Sequence, residues 1–326
     1  MRPELQALAS SQGGVFLRAQ ALRCGYSKRE IDYLLRRREW VRIRWGAYAE
    51  HALVTTLDAD DRYRLLVRAA MLRFADPALA THNSAAALHR LPLWGTDLSR
   101  VHVTRPERHA GRKRAGVTHH EASIPAGDRI TVDGVACTSA PRTAVDVARE
   151  YGFAQGVVVS DAVLCGGADH EAMLRVAESM RDWPGSAQTL QAVRFADPGG
   201  ESPGESLARI FLVEIGLPPP ETQVVVRSGA FVARVDMLIR QLRWAFEFDG
   251  RMKYRRTRDD CDPVVDDADV VWAEKQREDT LRDELELHVS RLVWGDLFGP
   301  RRRHTAQRLL AKAARLRAPG RLRRGA

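Results

Sequence analysis

Three acidic side chains occur in two apolar, strand-like runs of the stretch RVDMLIRQLRWAFEFDGRMKY, residues 234–254. Side chains alternate along a strand, so Glu247 and Asp249 share one face and the intervening phenylalanines share the other. Pairing the two runs around a short turn brings Asp236 close to Glu247. Neighbouring carboxylates repel each other unless a cation offsets their charge or they share a proton. A Lys or Arg ion pair is one solution, and Mg²⁺, which takes oxygen ligands and keeps several waters for chemistry, is the other.

The elements around these acids are predicted in the order helix, strand, strand, strand. A stretch rich in glycine, proline and serine, residues 195–206, marks a linker before them. Ser202 as N-cap, a proline at the first helical position and Glu205 at the capping-box position predict a helix. A hairpin turning at residues 228–229 then leads to the strand that carries Glu247. A further helix, EKQREDTLRDELELHV, and a strand, SRLVW, complete the segment.

This order, with the strings VDMLI, FEFDG and HVSRLVW, resembles the PD-(D/E)xK nuclease superfamily over about residues 200–298. The likeness is greatest to very-short-patch-repair endonucleases and DUF559 proteins. It implies a restriction-endonuclease-like α/β domain that hydrolyses DNA with Mg²⁺ or Mn²⁺. By position, Glu205 stands for the first-helix glutamate, Asp236 for the family aspartate and Glu247 for the next acid. The Phe248 carbonyl is expected to join them as a metal ligand.

One departure from the motif affects the catalytic prediction. The family has a lysine two residues after Glu247, where this chain has Asp249. Lys253 and Lys275 are the two alternatives for orienting an attacking water or steadying charge on the phosphate. Arg277 is expected either to clamp a phosphate oxygen or to join an ion-pair network on its helix. If neither lysine reaches the acids, the site binds metal and DNA without cutting.

The first fifty residues predict a helix-turn-helix followed by a β-ribbon. Three short helices are indicated, the third capped by Ser27 and preceded by a glycine turn. The run EWVRIRWGAYAEH alternates as a small ribbon, or wing. The expected DNA contacts are Lys28, Arg29 and Arg36 on the third helix, with Arg42 and Arg44 on the wing. The alternative is a helical scaffold whose basic face is only solvated.

These features, with the strings THNSAAALHRLPLW and TSAPRTAVDVARE, resemble the bacterial AbiEi-type antitoxin and regulator family over roughly residues 1–165. The resemblance implies an N-terminal winged helix, a second α/β domain and repression of the protein's own operon. Double-stranded DNA is then the expected partner, and a protein encoded in the same operon is a second.

Charge also favours a polyanionic partner. The chain has 51 Lys and Arg against 42 Asp and Glu, a formal charge of +9 and a pI of about 9.8. Residues 1–50 hold ten basic and five acidic residues, and residues 299–326 hold ten basic and no acidic ones. The C-terminal run predicts a basic helix and tail that add salt-dependent DNA affinity, with an acidic protein or membrane surface as the alternative.

The middle of the chain predicts an α/β segment that connects the other two or dimerises. A helix capped at Asn83 or Ser84 and a hairpin around Asp133-Gly134 are expected in it. Arg142 and Asp146, four apart on a later helix, are expected to form a structural ion pair.

The histidines of this segment do not predict a metal site. His82 and His89, and the adjacent His119 and His120, do not have the spacing of a preformed tetrahedral metal site. The four cysteines are far apart and contain no CxxC pair, so they predict neither disulfides nor a zinc knuckle. These histidines are therefore expected either to have their hydrogen bonds satisfied within the protein or to lie at its surface.

The whole chain predicts a multidomain α+β protein: a winged helix-turn-helix over residues 1–50, a middle α/β domain over 51–196, an endonuclease-like domain over 197–317 and a basic tail over 318–326. No signal peptide or membrane span is recognisable, which predicts a cytoplasmic protein. Two functions follow: a metal-dependent endodeoxyribonuclease, or an antitoxin-like regulator whose nuclease-like domain binds without cutting. Oligomeric state is left open.

Overall fold

The computed structural model describes residues 1–74, 78–105, 112–229, 231–250 and 285–317, with backbone only for 112–114. Contacts divide the chain into two compact units, Met1–Ala196 and Asp197–Ala326. Lys253, Lys275, Arg277, the predicted tail 318–326 and most of the predicted helix EKQREDTLRDELELHV lie outside the described residues, and the last two residues of that helix belong to a strand. In the described ranges, no helix combines the length and apolarity that crossing a membrane requires.

The first unit begins with three helices and a three-stranded sheet. These elements are α1 (Pro3–Ser11), β1 (Val15–Leu17), α2 (Arg18–Arg23), α3 (Lys28–Arg36), β2 (Trp40–Arg44) and β3 (Ala47–Glu50). The strand order is β1-β3-β2, and both pairings are antiparallel. The three helices and the β2–β3 ribbon match the sequence prediction, whereas β1 was not predicted. Its Phe16 packs edge-on against Trp40 at a ring-centroid distance of 4.7 Å, which ties the ribbon to the helices.

The start of α3 is fixed by a reciprocal pair of hydrogen bonds. The Glu30 amide donates to Ser27 Oγ at 3.1 Å, and the Ser27 amide donates to Glu30 Oε2 at 2.7 Å. This is the predicted capping box, which satisfies two otherwise unpaired donors. Ile31 anchors the inner face of the helix in the core. The position and rotation of α3 are therefore both determined.

The remainder of the first unit is a six-stranded sheet with helices. Its elements are α4 (His51–Thr56), α5 (Ala59–Met71), β4 (Leu79–Ala80), α6 (His82–Leu88), β5 (Val101–Thr104), β6 (Arg112–Arg114), β7 (Val117–His120), β8 (Arg129–Val132), β9 (Val135–Thr138), α7 (Ala140–Tyr151), α8 (Phe153–Cys165), α9 (His170–Ser179) and α10 (Ser186–Phe195). The strand order is β6-β7-β5-β4-β9-β8. The β8–β9 hairpin turns at Asp133-Gly134 as predicted, with φ of 46° and 78° at these two residues.

Two details of this region differ from the prediction. The expected caps of α6, Asn83 and Ser84, lie inside the helix and are buried, and Thr81 occupies the N-cap position. Helix α10 was not predicted, because its apolar spacing is weak. It packs Ala192 and Val193 into the core immediately before the boundary between the units.

Arg142 and Asp146 form a buried ion pair on α7, as their spacing predicted. Arg142 Nε lies 3.1 Å from Asp146 Oδ1, and the side chains are only 4% and 2% exposed. Asp128 approaches Arg142 at 3.7 Å, and Arg149 approaches Asp146 at 3.7 Å. Each charge thus has a partner, which burial in a medium of low polarity requires.

The second unit is a four-stranded sheet with helices. Its described elements are α11 (Pro203–Glu214), β10 (Glu221–Ser228), β11 (Phe231–Ile239), β12 (Trp244–Asp249), β13 (His288–Val293), α12 (Trp294–Leu297) and α13 (Gly299–Arg317). The strand order is β10-β11-β12-β13, antiparallel except for the parallel pair β12–β13. The predicted helix, the 228–229 hairpin and the next two strands are all present. Ser202 caps α11 as predicted, accepting the Glu205 amide at 3.2 Å.

Helix α13 packs on the face of the sheet that carries Trp244. Leu309 and Ala313 of this helix are buried, whereas Leu310 is 42% exposed. Lys312 Nζ lies 4.7 Å from the centre of the Trp244 ring and donates to Ser290 Oγ at 3.2 Å.

Gly204 lets the first turn of α11 approach β12. A β-carbon at this position would overlap the ring of Phe248, so a larger residue requires either the ring or the helix to shift. This close approach is what places the neighbouring Glu205 over the acidic strands.

We expect Arg142→Met to lower the free energy of unfolding of the first unit by about 3–5 kcal/mol, because it leaves Asp146 buried without its closest cation. Arg175→Met is the matched control. It breaks an ion pair whose side chains are 66% and 61% exposed, and it should cost no more than about 1 kcal/mol. Urea unfolding followed by hydrogen exchange in α7 measures both. Equal losses in the two variants would contradict the structural role of the pair.

We expect Gly204→Ala to destabilise the contact between α11 and β12 by about 1–3 kcal/mol through overpacking. Gly250→Ala is its control, since a β-carbon there meets no atom within 4 Å. Hydrogen exchange of the β12 amides should accelerate in the first variant and stay unchanged in the second. Unchanged exchange in Gly204→Ala would show that Phe248 can move aside freely.

Candidate nucleic-acid surface and carboxylate cluster

The outer face of α3 presents basic side chains. Lys28, Arg29 and Arg36 are all exposed, and Arg29 and Arg36 lie on the side of the helix opposite the buried Ile31. Asp32 lies on the same face, where it accepts Arg18 Nη1 at 3.1 Å. Its negative charge is therefore offset from within the protein, and the face keeps a net positive charge.

The β2–β3 hairpin adds one exposed arginine that is held in place. The Arg42 guanidinium lies 5.3 Å from the centre of the Trp45 ring, and Trp45 at the turn is 76% exposed. Arg42 is exposed, as its predicted role in DNA contact requires. A tryptophan this exposed contributes little to the core, and its ring instead packs against the Arg42 guanidinium at the surface.

Arg44, the other predicted wing residue, is half-buried and reaches the Ala115 carbonyl at 3.5 Å. Burial and the nearby charge of Arg73 lower the pKa of Arg44. Arg73, exposed just after α5, donates to the Trp45 carbonyl at the hairpin turn. Sequence reasoning missed Arg73, because it lies 28 residues from Trp45 and only the tertiary fold brings it to the hairpin.

The predicted metal ligands of the second unit lie on neighbouring elements. Strands β11 and β12 pair Met237 with Phe246, so Asp236 and Glu247 are the next residues along each strand. Asp236 Oδ2 accepts the Phe248 amide at 2.8 Å. Glu205, at the start of α11, is close enough for the charge of Asp236 to contribute to raising its pKa, after the larger effect of burial.

Each of these acids also has a contact within the protein. Glu205 accepts Ser202 Oγ at 2.7 Å and Gln223 Nε2 at 2.9 Å. Arg291, the register partner of Glu247 on β13, places its Nε 3.6 Å from Glu247 Oε2. A cation from the protein itself therefore offsets part of the negative charge, which is the alternative that the sequence left open.

A group of histidines in the first unit was missed at the sequence level. His89 was expected to be satisfied, and its Nε2 lies 2.8 Å from the Thr138 carbonyl oxygen. His82 and His120, however, meet a third histidine, His102, with ring nitrogens within 4.8 Å of one another. Burial and the charges of the other two histidines hold the pKa of His82 well below its usual range. His102 and His120 come together because the strand VHVT pairs with the strand VTHH. This pairing cannot be recognised from the sequence without knowing the order of the strands in the sheet.

Two uncharacterized proteins from two strains of Mycobacterium tuberculosis are similar to this chain. Each is 29% identical over 232 residues, which cover 69% of this chain and 79% of the relative. The likeness therefore extends well beyond the N-terminal segment.

The N-terminal elements match a described family. Residues 3–51, from the start of α1 through the β2–β3 hairpin, match the family described as "Transcriptional regulator, AbiEi antitoxin". The sequence resemblance is confirmed over this range, which contains the basic face of α3 and the exposed Arg42. Over residues 3–51, this chain is therefore similar to an AbiEi-type antitoxin and transcriptional-regulator domain.

Proposed function

We propose that this protein is a DNA-binding regulator of the antitoxin type that contacts double-stranded DNA through a winged helix-turn-helix in residues 1–50. One observation carries the proposal. In the segment that matches the regulator family, a capped helix presents Lys28, Arg29 and Arg36 to solvent, next to a hairpin that presents Arg42.

The geometry of this segment supports a division of labour on the duplex. Helix α3 has the length and exposed polar face to enter a major groove, where its basic side chains meet base edges and phosphates. Lys28 and Arg29 lie in its first turn, where the free amides of the helix add positive potential for a phosphate. Arg42 on the hairpin is placed to contact the backbone or the minor groove.

Arg44 and Arg73 add a further electrostatic argument. Their mutual repulsion contributes to the lowered pKa of Arg44, and both belong to the environment of the hairpin. A phosphate group bound at this end of the hairpin would offset that repulsion, so binding DNA relieves a cost that the free protein bears.

We expect Arg29→Ala and Arg36→Ala each to weaken binding to a duplex selected from a random library, by about 1–3 kcal/mol where the side chain reads a base. Where a side chain contacts only phosphate, the loss should be uniform across sequences and the salt slope should fall by about 1. Fluorescence anisotropy with a salt series measures both quantities.

Arg175→Ala is the control for charge alone, because it removes an exposed arginine outside the regulator domain. It should leave sequence preference unchanged. If the two α3 variants bind the selected duplex as the wild type does, DNA recognition through α3 is wrong, and the remaining affinity comes from another basic surface such as α13.

A second candidate function is metal-dependent hydrolysis of DNA phosphodiester bonds in the second unit, which resembles PD-(D/E)xK and DUF559 proteins. The observation that favours it is the electrostatic coupling of Glu205 to Asp236, with Glu247 next to Asp236 on the adjacent strand. Carboxylates placed this way suit a hard divalent cation such as Mg²⁺ or Mn²⁺.

The residues fit such an ion by donor chemistry, with one competing contact. Asp236, Glu247 and Glu205 would hold it, with the Phe248 carbonyl as a further oxygen ligand. When bound, the ion supplies Lewis-acid stabilisation of the phosphate and lowers the pKa of a coordinated water. Arg291 contacts Glu247 at 3.6 Å and must yield that oxygen or share it.

The protein's own groups orient this set of acids. Ser202 Oγ and Gln223 Nε2 each hold an oxygen of Glu205, and the Phe248 amide holds Asp236. Lys253, Lys275 and Arg277, which would position the nucleophile and clamp the phosphate, lie outside the described residues. Asp249 in place of the motif lysine favours the first proposal, a domain that binds without cutting.

We expect that, if the second function operates, Mg²⁺ or Mn²⁺ will support plasmid cleavage by the wild type and Glu247→Gln will slow it at least about 100-fold, as loss of charge-stabilising groups does elsewhere. Glu286→Gln is the matched control, since that glutamate is 81% exposed in the same unit. If the wild type shows no metal-dependent cleavage but still binds the selected duplex, the hydrolase proposal is wrong and the regulator proposal stands.

A further inference from the structure

Three histidines meet in the first unit, far in sequence from the acids considered above. His82 begins α6, His102 lies on β5, and His120 ends β7. The ligand nitrogens of all three lie within 4.8 Å of one another, the one such group of His, Cys, Asp or Glu among the residues with described side chains. His102 Nδ1 lies 2.8 Å from His120 Nε2.

The sheet itself creates this convergence. Strand β5 runs parallel to β7, with Thr104 as the register partner of His120. The chain leaves β4 through Thr81, whose amide donates to the His102 carbonyl at 3.1 Å, and His82 follows immediately. Each of the three histidines therefore lies on a strand or at the start of a helix and not in a loop.

The backbone of His82 is strained in support of this arrangement. Its φ is 52°, in the left-handed region, although it is not a glycine. Such a conformation costs of the order of 1–3 kcal/mol and persists where the surroundings demand it. Here it stacks the His82 ring on the His120 ring, with centroids 3.8 Å apart and planes 16° apart.

Burial requires the ring nitrogens of the inner histidines to find partners inside the protein, and His82 Nδ1 lies 3.1 Å from Thr81 Oγ1. His82 and His102 are 6% and 3% exposed, so their ring nitrogens have little access to water. The contact between His102 and His120 is a hydrogen bond between two nitrogens, and the third ring nitrogen approaches the same place. A cation at that place would bind all three nitrogens at once, which one shared proton does not do.

The ligand type decides the class of ion. Three imidazole nitrogens suit zinc, cobalt, nickel and copper, whereas magnesium and calcium prefer oxygen. A ring nitrogen binds zinc at about 2.0–2.1 Å, and its lone pair lies in the ring plane, so the stacked rings of His82 and His120 must turn about their side-chain torsions to aim both nitrogens at one ion. His120 also faces a cavity of about 180 Å³, lined in part by Glu121, Arg142 and Arg149, which has space for a fourth ligand.

We propose that His82, His102 and His120 bind one divalent transition-metal ion of the zinc class, whose fourth ligand is a water or small anion in the adjoining cavity. The site is independent of the regulator and hydrolase proposals. Its nitrogen donors separate it chemically from the carboxylates of the second unit, which take hard ions. By joining α6, β5 and β7, the ion stabilises the domain that follows the DNA-binding segment.

The first test measures stoichiometry and coordination in the untagged full chain. After dialysis against Zn²⁺, the wild type should retain one ion per chain. Co²⁺ should give the strong visible absorption of a four-coordinate ion. Retention of much less than one ion, or the weak spectrum of a six-coordinate oxygen site, overturns the proposal.

Neighbouring residues on β7 provide matched variants. His120→Gln should weaken Zn²⁺ binding by more than about 100-fold, because loss of an outer-shell partner alone costs about 10- to 100-fold. His119→Gln should bind Zn²⁺ normally, since His119 packs edge-on against Phe74 at 6.2 Å on the other side of the strand. Equal binding by the two variants overturns the assignment.

Two further measurements guard against misfolding and against a different site. Zn²⁺ should raise the melting temperature of the wild type and His119→Gln, and leave that of folded His120→Gln unchanged. If His120→Gln does not fold, His102→Gln replaces it. Asp236→Asn should keep the ion, and loss of Zn²⁺ in that variant would assign the ion to the carboxylates and refute the histidine site.

Discussion

The fold depends on the requirement that every charge taken out of water find a partner. In the second unit, Glu205 lies close enough to Asp236 for the charge of Asp236 to contribute to raising its pKa, after burial. The Phe248 amide donates to Asp236, and Arg291 lies beside Glu247, so the sheet supplies a partner to each of these two acids. In the first unit, Arg142 and Asp146 neutralise each other inside the core. Taking a charged group out of water costs more than a poorly placed ion pair returns, so only well-placed partners compensate for burial. These partners therefore determine which charged side chains can still bind a ligand.

Local signals were sufficient for much of the secondary structure. The starts of α3 and α11 were predictable because the residues of a helix cap lie within four positions of one another. The caps are formed by Ser27 with Glu30 and by Ser202 with Glu205. The Asp133-Gly134 turn likewise gave the β8–β9 hairpin. Weak periodicity hid α10, and β1 is too short for a strand pattern to be recognised, so both follow from tertiary packing and not from propensity.

The candidate sites were predicted less completely, since they depend on register. That Asp236 and Glu247 would be neighbours followed from one hairpin. That Arg291 would lie beside Glu247 required the parallel pairing of β12 with β13, whose intervening chain is long. The same reason explains His102: only the parallel pairing of β5 with β7 brings it to His120. Arg73 reaches Trp45 through the packing of α5, which no local pattern contains.

The two units therefore offer two kinds of ligand set, and this bears on function. The carboxylates of the second unit already contact Arg291 through Glu247, so a hard cation must compete with this arginine for the carboxylate oxygens. This competition lowers the affinity of the carboxylates for the cation. The histidine set favours a different class of ion, because imidazole nitrogens suit soft or borderline metals. A metal effect on this protein therefore need not report on nuclease chemistry. An ion that stabilised α6, β5 and β7 would act within the same unit as the proposed DNA-binding segment, so its effect on DNA binding would need no contribution from the acids of the second unit.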